Sequence, residues 1–330
     1  MARCCFRSAL AFRLQSFWET RAAAGRGPYL LKVLRYLDRF LMTELQPGDT
    51  ITRELTERYL KSTEHLAPGT RINRMSVLRQ FSLYQSHFDP RTCIVHRMFL
   101  PRRNRPMPHI YTANEVRRIM AAAPAAVRSA EPLRPVVFAT LVGFLYATGL
   151  RVGEAVKLNL ADVDLSRRLV LIRQTKFGKT RYVPLASCTA RHLRAYAAKR
   201  RAAGFSADST APFFPSASGG RYHLSTFTTT FLQVLRRLGL RGPPGQRGPR
   251  IHDLRHSFAV SRLMAWHRNG DNLFAKLPTL STYLGHSTIT GTEIYLHATA
   301  ELLESVGQRF HEHFAVPSAR LSCQPPTSQL

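Results

Sequence analysis

The sequence predicts a mainly α-helical protein with a small β-hairpin or sheet, an α+β fold divided into two domains. Three observations lead to this expectation. Apolar residues recur at helical spacing along most of the chain. Two short β-rich runs, residues 169–174 and 181–185, flank a turn that contains glycine. Residues 101–111 begin with a proline- and arginine-rich stretch that has no periodicity, which is typical of a linker. We expect a helical domain over residues 1–100, a linker over 101–111, a second domain over 112–315 and a flexible tail over 316–330.

The first domain is expected to be a bundle of roughly four short helices with one basic face. Helical apolar patterns cover residues 29–42, 52–62 and 70–85. Arg71 and Arg74 belong to the third of these patterns and are candidates for contacts with phosphate groups. The linker adds three further candidates, Arg102, Arg103 and Arg105, although a solvated linker explains these three arginines equally well.

The second domain begins with a helix-start signal, in which Thr112 is the N-cap and Glu115 follows three residues later. A strongly apolar helix over residues 135–150 is expected to be buried and to end near Gly149. Two more helices are predicted, over residues 189–203 and 225–238, and a loop over residues 242–250 leads into His252.

Composition favours a polyanionic partner. The chain has 330 residues, 48 of them basic and 20 acidic, which gives a formal net charge of +28. A bias toward arginine codons explains a preference for arginine over lysine, but it does not explain the excess of basic over acidic residues. Nucleic acid is therefore the favoured partner.

The five cysteines are scattered without a CxxC pair, so neither a disulfide framework nor a metal site is expected. The N-terminal segment is a poor signal peptide because Arg7 and Arg13 interrupt its apolar run. No stretch reaches the ~18 apolar residues that a membrane helix requires. We expect a cytoplasmic protein that has no contact with a membrane.

Several residues that suit phosphate chemistry follow one another along the chain. Arg151 lies at a junction between two helices, where backbone N–H groups also favour an anion. The simpler alternative is a helix-end arginine paired with Glu154. His252 and Arg255 lie about one helical turn apart and so share a face, although an isolated HxxR is a weak signal. By the same periodicity His256 points elsewhere.

Two more candidates follow near the end of the second domain. His286 comes directly after Leu284 and Gly285, and Tyr295 comes nine residues later. A tyrosine on a helix is most often a packing residue, as we expect for Tyr196 and Tyr283. A phenol beside two guanidiniums and two imidazoles can instead attack phosphorus and form a covalent ester.

In this order and spacing, Arg151, His252, Arg255, His286 and Tyr295 resemble the tyrosine recombinases, the family of phage integrases and chromosome-dimer resolvases. The resemblance extends from about residue 112 to residue 297. It implies an N-terminal helical DNA-binding (SAM-like) domain and a C-terminal catalytic domain. The connection over residues 269–283 looks a few residues longer than in compact members of the family.

The resemblance also implies a role for each residue. Tyr295 is the nucleophile, Arg151 and Arg255 bind the phosphate, and Glu154 orients the cluster. His252 assists deprotonation of the tyrosine and His286 donates to a phosphate oxygen. The hairpin lysine Lys176 protonates the leaving group. Lys179 is its rival, with contact to the DNA backbone as the alternative role.

The function implied is site-specific DNA recombination or integration through a 3′-phosphotyrosyl intermediate. The resemblance further implies double-stranded DNA as the partner and no cofactor or metal. It suggests a homotetramer, or a hetero-assembly with related recombinases, on two DNA sites. A mobile genetic element is the expected source. Two alternatives stay open, a type IB topoisomerase-like enzyme that relaxes DNA and a non-catalytic DNA-binding relative.

Overall fold

The computed structural model describes residues 6–24, 28–96, 107–127, 132–173 and 180–285. The chain divides into two compact units, Met1–Pro106 and Met107–Leu330. The boundary between them falls within the sequence region predicted to be the linker. Within the described ranges no helix is both long and apolar enough to cross a membrane.

In its described part, the first unit consists of helices around one apolar core. They are α1 (Ala11–Ala23), α2 (Pro28–Glu44), α3 (Arg53–Ser62) and α4 (Pro68–Gln85). The Thr52 hydroxyl accepts the Leu55 N–H at 3.2 Å and so fixes the start of α3. Large apolar side chains from α1, α2 and α4 fill the core, among them Leu14, Phe17, Leu34, Leu37 and Phe81. The sequence patterns predicted α2, α3 and α4 to within two residues at each end and did not single out α1.

The described part of the second unit is helical apart from one small sheet. Its helices are α5 (Ala113–Ala121), α6 (Ala123–Ala126), α7 (Leu133–Thr148), α8 (Val152–Ala155), α9 (Ser187–Ala202), α10 (Leu224–Arg237), α11 (Asp253–Arg268) and α12 (Leu273–Leu284). The mainly helical α+β fold predicted from the sequence is confirmed.

The small sheet of the second unit is antiparallel. It contains β1 (Val163–Asp164), β2 (Leu169–Ile172) and β3 (Arg181–Pro184) in the order β1-β2-β3. Val170 pairs with Val163 on one side and with Val183 on the other, and Ile172 pairs with Arg181. Strands β2 and β3 are the two sides of the predicted hairpin, while β1 was not predicted.

Helix α7 lies at the centre of the second unit and packs against α5, α9 and α11. Its buried residues include Val137, Phe138, Leu141 and Leu145. The helix ends at Gly149, which adopts the left-handed backbone conformation with φ +63° that residues other than glycine rarely adopt. The chain therefore turns sharply after α7, and two residues later Arg151 begins the next helix.

The predicted capping box is confirmed at the start of α5. The Thr112 hydroxyl accepts the Glu115 N–H at 3.1 Å, and the Glu115 carboxylate accepts the Thr112 N–H at 2.7 Å. Most of the connection that looked long in the sequence, residues 269–283, belongs to helix α12. Pro278 lies inside this helix, and it obscured the helical pattern because proline usually ends one.

Candidate active site

Arg151 lies where the sequence analysis expected it, at the junction between α7 and α8. It is the N-cap of α8, and its main-chain N–H donates to Glu154 Oε2 at 3.1 Å. Its side chain is 34% exposed, and Nη1 donates to Glu154 Oε1 at 2.9 Å. The pairing with Glu154, the simpler alternative, is therefore present. Arg151 does more than pair, because Nη2 also donates to the carbonyl of Gly285 at 3.1 Å.

Arg255 is buried in the first turn of α11, with 1% of its surface exposed. Nη1 donates to the carbonyl of Gly149 at 2.9 Å, and Nη2 donates to the carbonyl of Leu284 at 2.7 Å. One guanidinium thus joins the end of α7 to the end of α12. The start of α11 is fixed by buried Asp253, whose Oδ2 accepts the Arg250 N–H at 2.8 Å.

His252 occupies the N-cap position of α11 and is exposed to solvent, yet enough protein surrounds its ring to shift its pKa. Burial lowers the pKa of His252 below its usual value, and the positive charges of Arg255 and Arg151 lower it further. The negative charge of Asp253 opposes this effect. The His256 ring lies nearly perpendicular to that of His252, with 4.9 Å between the ring centroids. Periodicity had directed His256 away from the cluster.

Arg181, at the start of β3, is a member of the cluster that the sequence analysis missed. Its side chain is 14% exposed. Nη2 donates to Glu154 Oε2 at 2.9 Å, Nη1 donates to Glu154 Oε1 at 3.3 Å, and Nε donates to the carbonyl of Tyr283 at 2.9 Å. A signal was available, because alternation along a strand puts Arg181 on the same face as buried Val183. An arginine on the inward face of a strand calls for an acidic or carbonyl partner.

Three successive carbonyls at the end of α12 therefore each accept a hydrogen bond from a different arginine. Tyr283 pairs with Arg181, Leu284 with Arg255 and Gly285 with Arg151. The last carbonyls of a helix have no partner within the helix, and its C-terminal end carries partial negative charge. The arginine N–H groups supply the missing hydrogen bonds, and their positive charge offsets the partial negative charge. The arrangement fixes the point from which the chain continues to residue 286.

Glu154 carries the negative charge of this cluster. Burial by itself raises the pKa of a carboxyl group, but hydrogen bonds and charge from Arg181, together with hydrogen bonds from Arg151, hold the pKa of Glu154 below its usual value. Glu154 is therefore ionised at neutral pH and is shared between two arginines.

An open groove of about 680 Å³ runs along the second unit beside this cluster. Arg151 and Glu154 line it together with three further cationic side chains, Lys157, Arg173 and Arg221. Arg221 is held in place, since Nη1 donates to the Lys157 carbonyl and Nη2 donates to Asn159 Oδ1, each at 2.6 Å. Arg173 pairs with Asp162 at 2.6 Å. Asp162 and Glu154 also line the groove, so its four cationic side chains exceed its acidic ones by two.

The two tyrosines expected to be packing residues are buried or partly buried, and several predicted site residues lie outside the described residues. Tyr196 is buried, and its hydroxyl donates to the Phe213 carbonyl at 2.9 Å, as suits a packing residue. Tyr283 stacks on Phe258, and burial raises the pKa of Tyr283 to about 12. The candidates outside the described residues are Lys176, Lys179, His286, Tyr295, Arg102, Arg103 and Arg105.

The first unit, taken by itself, presents arginines around one aromatic ring. The Arg74 guanidinium lies 4.1 Å and that of Arg39 lies 4.6 Å from the centroid of the Tyr36 ring. Arg71 lies 3.8 Å from the carboxylate of Glu64. Both arginines singled out from the sequence, Arg71 and Arg74, are thus on α4 and within reach of α2 or of the loop before α4.

Comparison with known proteins identifies the family. Residues 110–301 match the Phage integrase family. The integrase/recombinase y4rB of Sinorhizobium fredii is 36% identical over 277 residues, which is 82% of this chain and 88% of that protein. The tyrosine recombinase XerD of Brucella abortus is 32% identical over 258 residues, 76% of this chain and 78% of that protein.

Solved structures share the fold. The Tn1549 transposon integrase in complex with transposon right end DNA has a TM-score of 0.65 at 15% identity, covering 94% of this chain and all of that one (100%). The XerH recombinase bound to palindromic difH substrate has a TM-score of 0.61 at 18% identity, covering 91% of this chain and 88% of that one. At identities this low, the structural similarity is evidence for a shared fold alone.

The relatives favour recombination over the topoisomerase-like and non-catalytic alternatives. A match over more than half of the chain and relatives above 30% identity decide the family membership. The chain belongs to the phage integrase family and is a tyrosine site-specific recombinase, an enzyme that cleaves and rejoins DNA strands.

Proposed function

We propose that Arg151 and Arg255 bind the scissile phosphate of double-stranded DNA and that Tyr295 attacks it. The observation that carries the proposal is the convergence at the end of α12. Arg151 and Arg255 are 104 residues apart in sequence by their numbers, yet they donate to the neighbouring carbonyls of Gly285 and Leu284. The chain leaves this point toward His286 and, nine residues further, Tyr295.

The two arginines differ in how they serve a phosphate. Arg151 is partly exposed beside the basic groove, and a guanidinium has five N–H donors, of which Glu154 and Gly285 engage two on this side chain. It keeps donors for a phosphate that arrives from the groove. Arg255 lies below the surface with its orientation fixed by two carbonyls. It supplies preorganised positive charge, the contribution that usually dominates such catalysis.

The proposed reaction is a pair of transesterifications. The Tyr295 hydroxyl oxygen bonds to phosphorus while the bond from phosphorus to the 5′ oxygen breaks, which leaves a 3′-phosphotyrosyl link. Lys176 protonates the departing 5′ oxygen, and His286 donates to a non-bridging oxygen. The 5′ hydroxyl of a second duplex then attacks the phosphotyrosyl link and releases Tyr295. The covalent link conserves the energy of the original bond, so no nucleotide cofactor is consumed.

His252 suits the role of proton acceptor for Tyr295. Its pKa is lowered by burial and by Arg255 and Arg151, so its ring is neutral at and somewhat below neutral pH. A neutral imidazole can take a proton from the attacking phenol, and a protonated one cannot. The nearby arginines disfavour the charged ring, which helps to return the proton when the step reverses.

The remaining parts of the proposal concern DNA contact and assembly. We assign residues 1–100 as a DNA-binding domain and residues 112–315 as the catalytic domain, with 101–111 as the linker and 316–330 as a tail. Further phosphate contacts are proposed for Arg71, Arg74, Arg102, Arg103, Arg105 and Lys179. The XerH and Tn1549 structures are complexes with DNA, which supports a DNA partner here. We further propose a homotetramer on two DNA sites and a mobile genetic element as the source, in keeping with the transposon integrase among the structural neighbours.

Covalent trapping tests the proposal. The protein is incubated with nicked duplexes that tile the DNA around its own gene, and with supercoiled plasmid, and detergent-stable adducts are collected. We expect an adduct on one flanking sequence that Tyr295→Phe abolishes. Tyr283→Phe is the matched control, because it removes one hydroxyl from a tyrosine that stacks on Phe258, and it should retain the adduct. General plasmid relaxation without a preferred site would favour a topoisomerase, and no adduct on either substrate would contradict the proposal.

A further inference from the structure

Arg181 makes contacts that go beyond packing. All of the nitrogens of its guanidinium are engaged, with Nη1 and Nη2 on the two oxygens of Glu154 and Nε on the Tyr283 carbonyl. A forked pair of hydrogen bonds to a carboxylate sets the orientation of both groups. Arg181 therefore ties the sheet to the carboxylate that holds Arg151 and, through the same side chain, to the end of α12.

The Arg181 guanidinium packs closely against the main chain of the turn at Gly285. Gly285 has φ +68°, and a Cβ atom at this position would lie 2.9 Å from Nη1 and 3.1 Å from Cζ of Arg181. The guanidinium thus lies against the main chain at the residue that precedes His286. Its position and the direction in which the chain leaves α12 depend on each other.

Glu154 needs Arg181 in order to hold Arg151. Among the residues that the structure describes, the charged groups that face this carboxylate are Arg151 from its own helix and Arg181 from β3. Glu154 is only 10% exposed, so with one cation removed it is left partly unpaired in a poorly solvated place. Without the forked pair the carboxylate also loses the contacts that fix its orientation, so Arg151 is held less firmly in place.

We propose that Arg181 is a positioning residue for strand cleavage, which sets Arg151 through Glu154 and fixes the end of α12 from which the chain continues to His286 and Tyr295. The proposal rests on the function proposed above for Arg151 and Tyr295. Arg181 itself need not touch the phosphate. Its effect should therefore appear in the rate of cleavage and not in the affinity for DNA.

The test compares Arg181→Gln and Arg181→Lys with the unchanged protein on the nicked duplex that yields the adduct. The dissociation constant and the single-turnover cleavage rate are measured for each protein, and thermal unfolding establishes that each is folded. We expect DNA affinity within about twofold and a cleavage rate lower by about 10- to 100-fold, the scale of a misplacement of about 1 Å in a catalytic group. Lysine should restore little, because it cannot form the forked pair.

Two readouts separate positioning from a general loss of structure. First, Arg181→Gln should cost less when Glu154→Gln is already present, because the part of its effect that acts through Glu154 on Arg151 is then already lost. Second, acidification lowers the cleavage rate of each protein as His252 becomes protonated, and Arg181→Gln should show a further fall as Glu154 is protonated, since burial then raises the pKa of Glu154 with less opposition. This further fall should be absent in the Glu154→Gln background.

Arg167→Gln is the matched control, since it removes an arginine of the same unit that is 80% exposed and 3.8 Å from Asp164. It should change neither affinity nor rate. A cleavage rate for Arg181→Gln equal to that of the unchanged protein would overturn the proposal. So would an effect that adds in full to that of Glu154→Gln with an unchanged pH profile. Absence of a Tyr295-dependent adduct in the unchanged protein would instead refute the function on which the proposal rests.

Discussion

The turn at Gly149 allows the sharpest prediction about how the cluster is built. Gly149 ends α7 with φ +63°, its carbonyl accepts a hydrogen bond from Arg255, and Arg151 follows two residues later. In Gly149→Ala the new methyl group would lie 2.8 Å from Cγ of Phe258 and 3.2 Å from Cδ2 of Leu284. The substitution thus combines an unfavourable backbone conformation with a collision in the core.

The two costs can be separated with a matched glycine. The left-handed conformation costs about 1–2 kcal/mol for an L-residue. Overpacking a well-filled core costs about 1–3 kcal/mol more. Gly149→Ala should therefore lower the free energy of unfolding of the second unit by about 2–5 kcal/mol in total. Gly204 has φ +77° and open space within 4 Å of the position that a methyl group would occupy, so Gly204→Ala carries only the backbone cost.

Urea unfolding followed by tryptophan fluorescence measures the difference. The chain has two tryptophans, so Trp18→Phe leaves Trp266, in the second unit, as the reporter. Trp266 packs in the apolar cluster of α11 and α12 that also includes Phe258. We expect Gly149→Ala to be less stable than Gly204→Ala by about 1–3 kcal/mol, with an unchanged dependence of the unfolding free energy on urea concentration. Equal losses in the two variants would refute the reasoning, because the collision with Phe258 and Leu284 would then contribute nothing.

Two further predictions concern the charges of the cluster. Arg151→Lys keeps the charge but not the forked donor geometry, so we expect adduct formation to fall at least about 100-fold, as measured by trapping on the nicked duplex; near-normal cleavage would contradict the phosphate-binding role. Glu154 has a pKa below its ordinary value of 4.5 in the folded protein, so its ion pairs stabilise the fold fully above pH 4.5 and lose this effect as pH falls through the lowered pKa. The difference in unfolding free energy between the unchanged protein and Glu154→Gln should accordingly shrink on acidification below pH 4.5, whereas a constant difference would show that Glu154 gains nothing from its charge.

The sequence predicted the elements whose signals are local. The capping box of Thr112 and Glu115, the glycine that ends α7 and the two longer strands of the sheet each follow from residues close together in the chain. Helix α1 was missed because arginines interrupt its apolar residues. Gly285 indicated the end of a helix, but the extent of α12 was not predicted because the helix contains Pro278. Local signals also put Arg151 at a helix junction and Arg255 in a first helical turn.

The assembly of the cluster could not be predicted from local signals. The Arg255 guanidinium joins carbonyls of Gly149 and Leu284, 106 and 29 residues away, and no pattern in the sequence encodes that meeting. Every residue has a main-chain carbonyl, so the sequence does not indicate which carbonyls pair with arginines. The three pairs at the end of α12 are evident only in the fold. Strand alternation put Arg181 on an inward face, but its partners, Glu154 and the Tyr283 carbonyl, are 27 and 102 residues away in the chain and could not be identified from the sequence. The residue roles taken from the family resemblance stay predictions.

The identity of the nucleophile tests the central claim most directly. The adduct formed on the nicked duplex is digested with nuclease and protease, and mass spectrometry locates the tyrosine that carries the remaining nucleotide. Tyr283 is the nearest competitor in sequence to the end of α12, but burial raises its pKa to about 12, which makes it a poor nucleophile near neutral pH. We predict the nucleotide on Tyr295. A nucleotide on Tyr283, or on any tyrosine of the first unit, would contradict the assignment of the site to the arginines that meet at the end of α12.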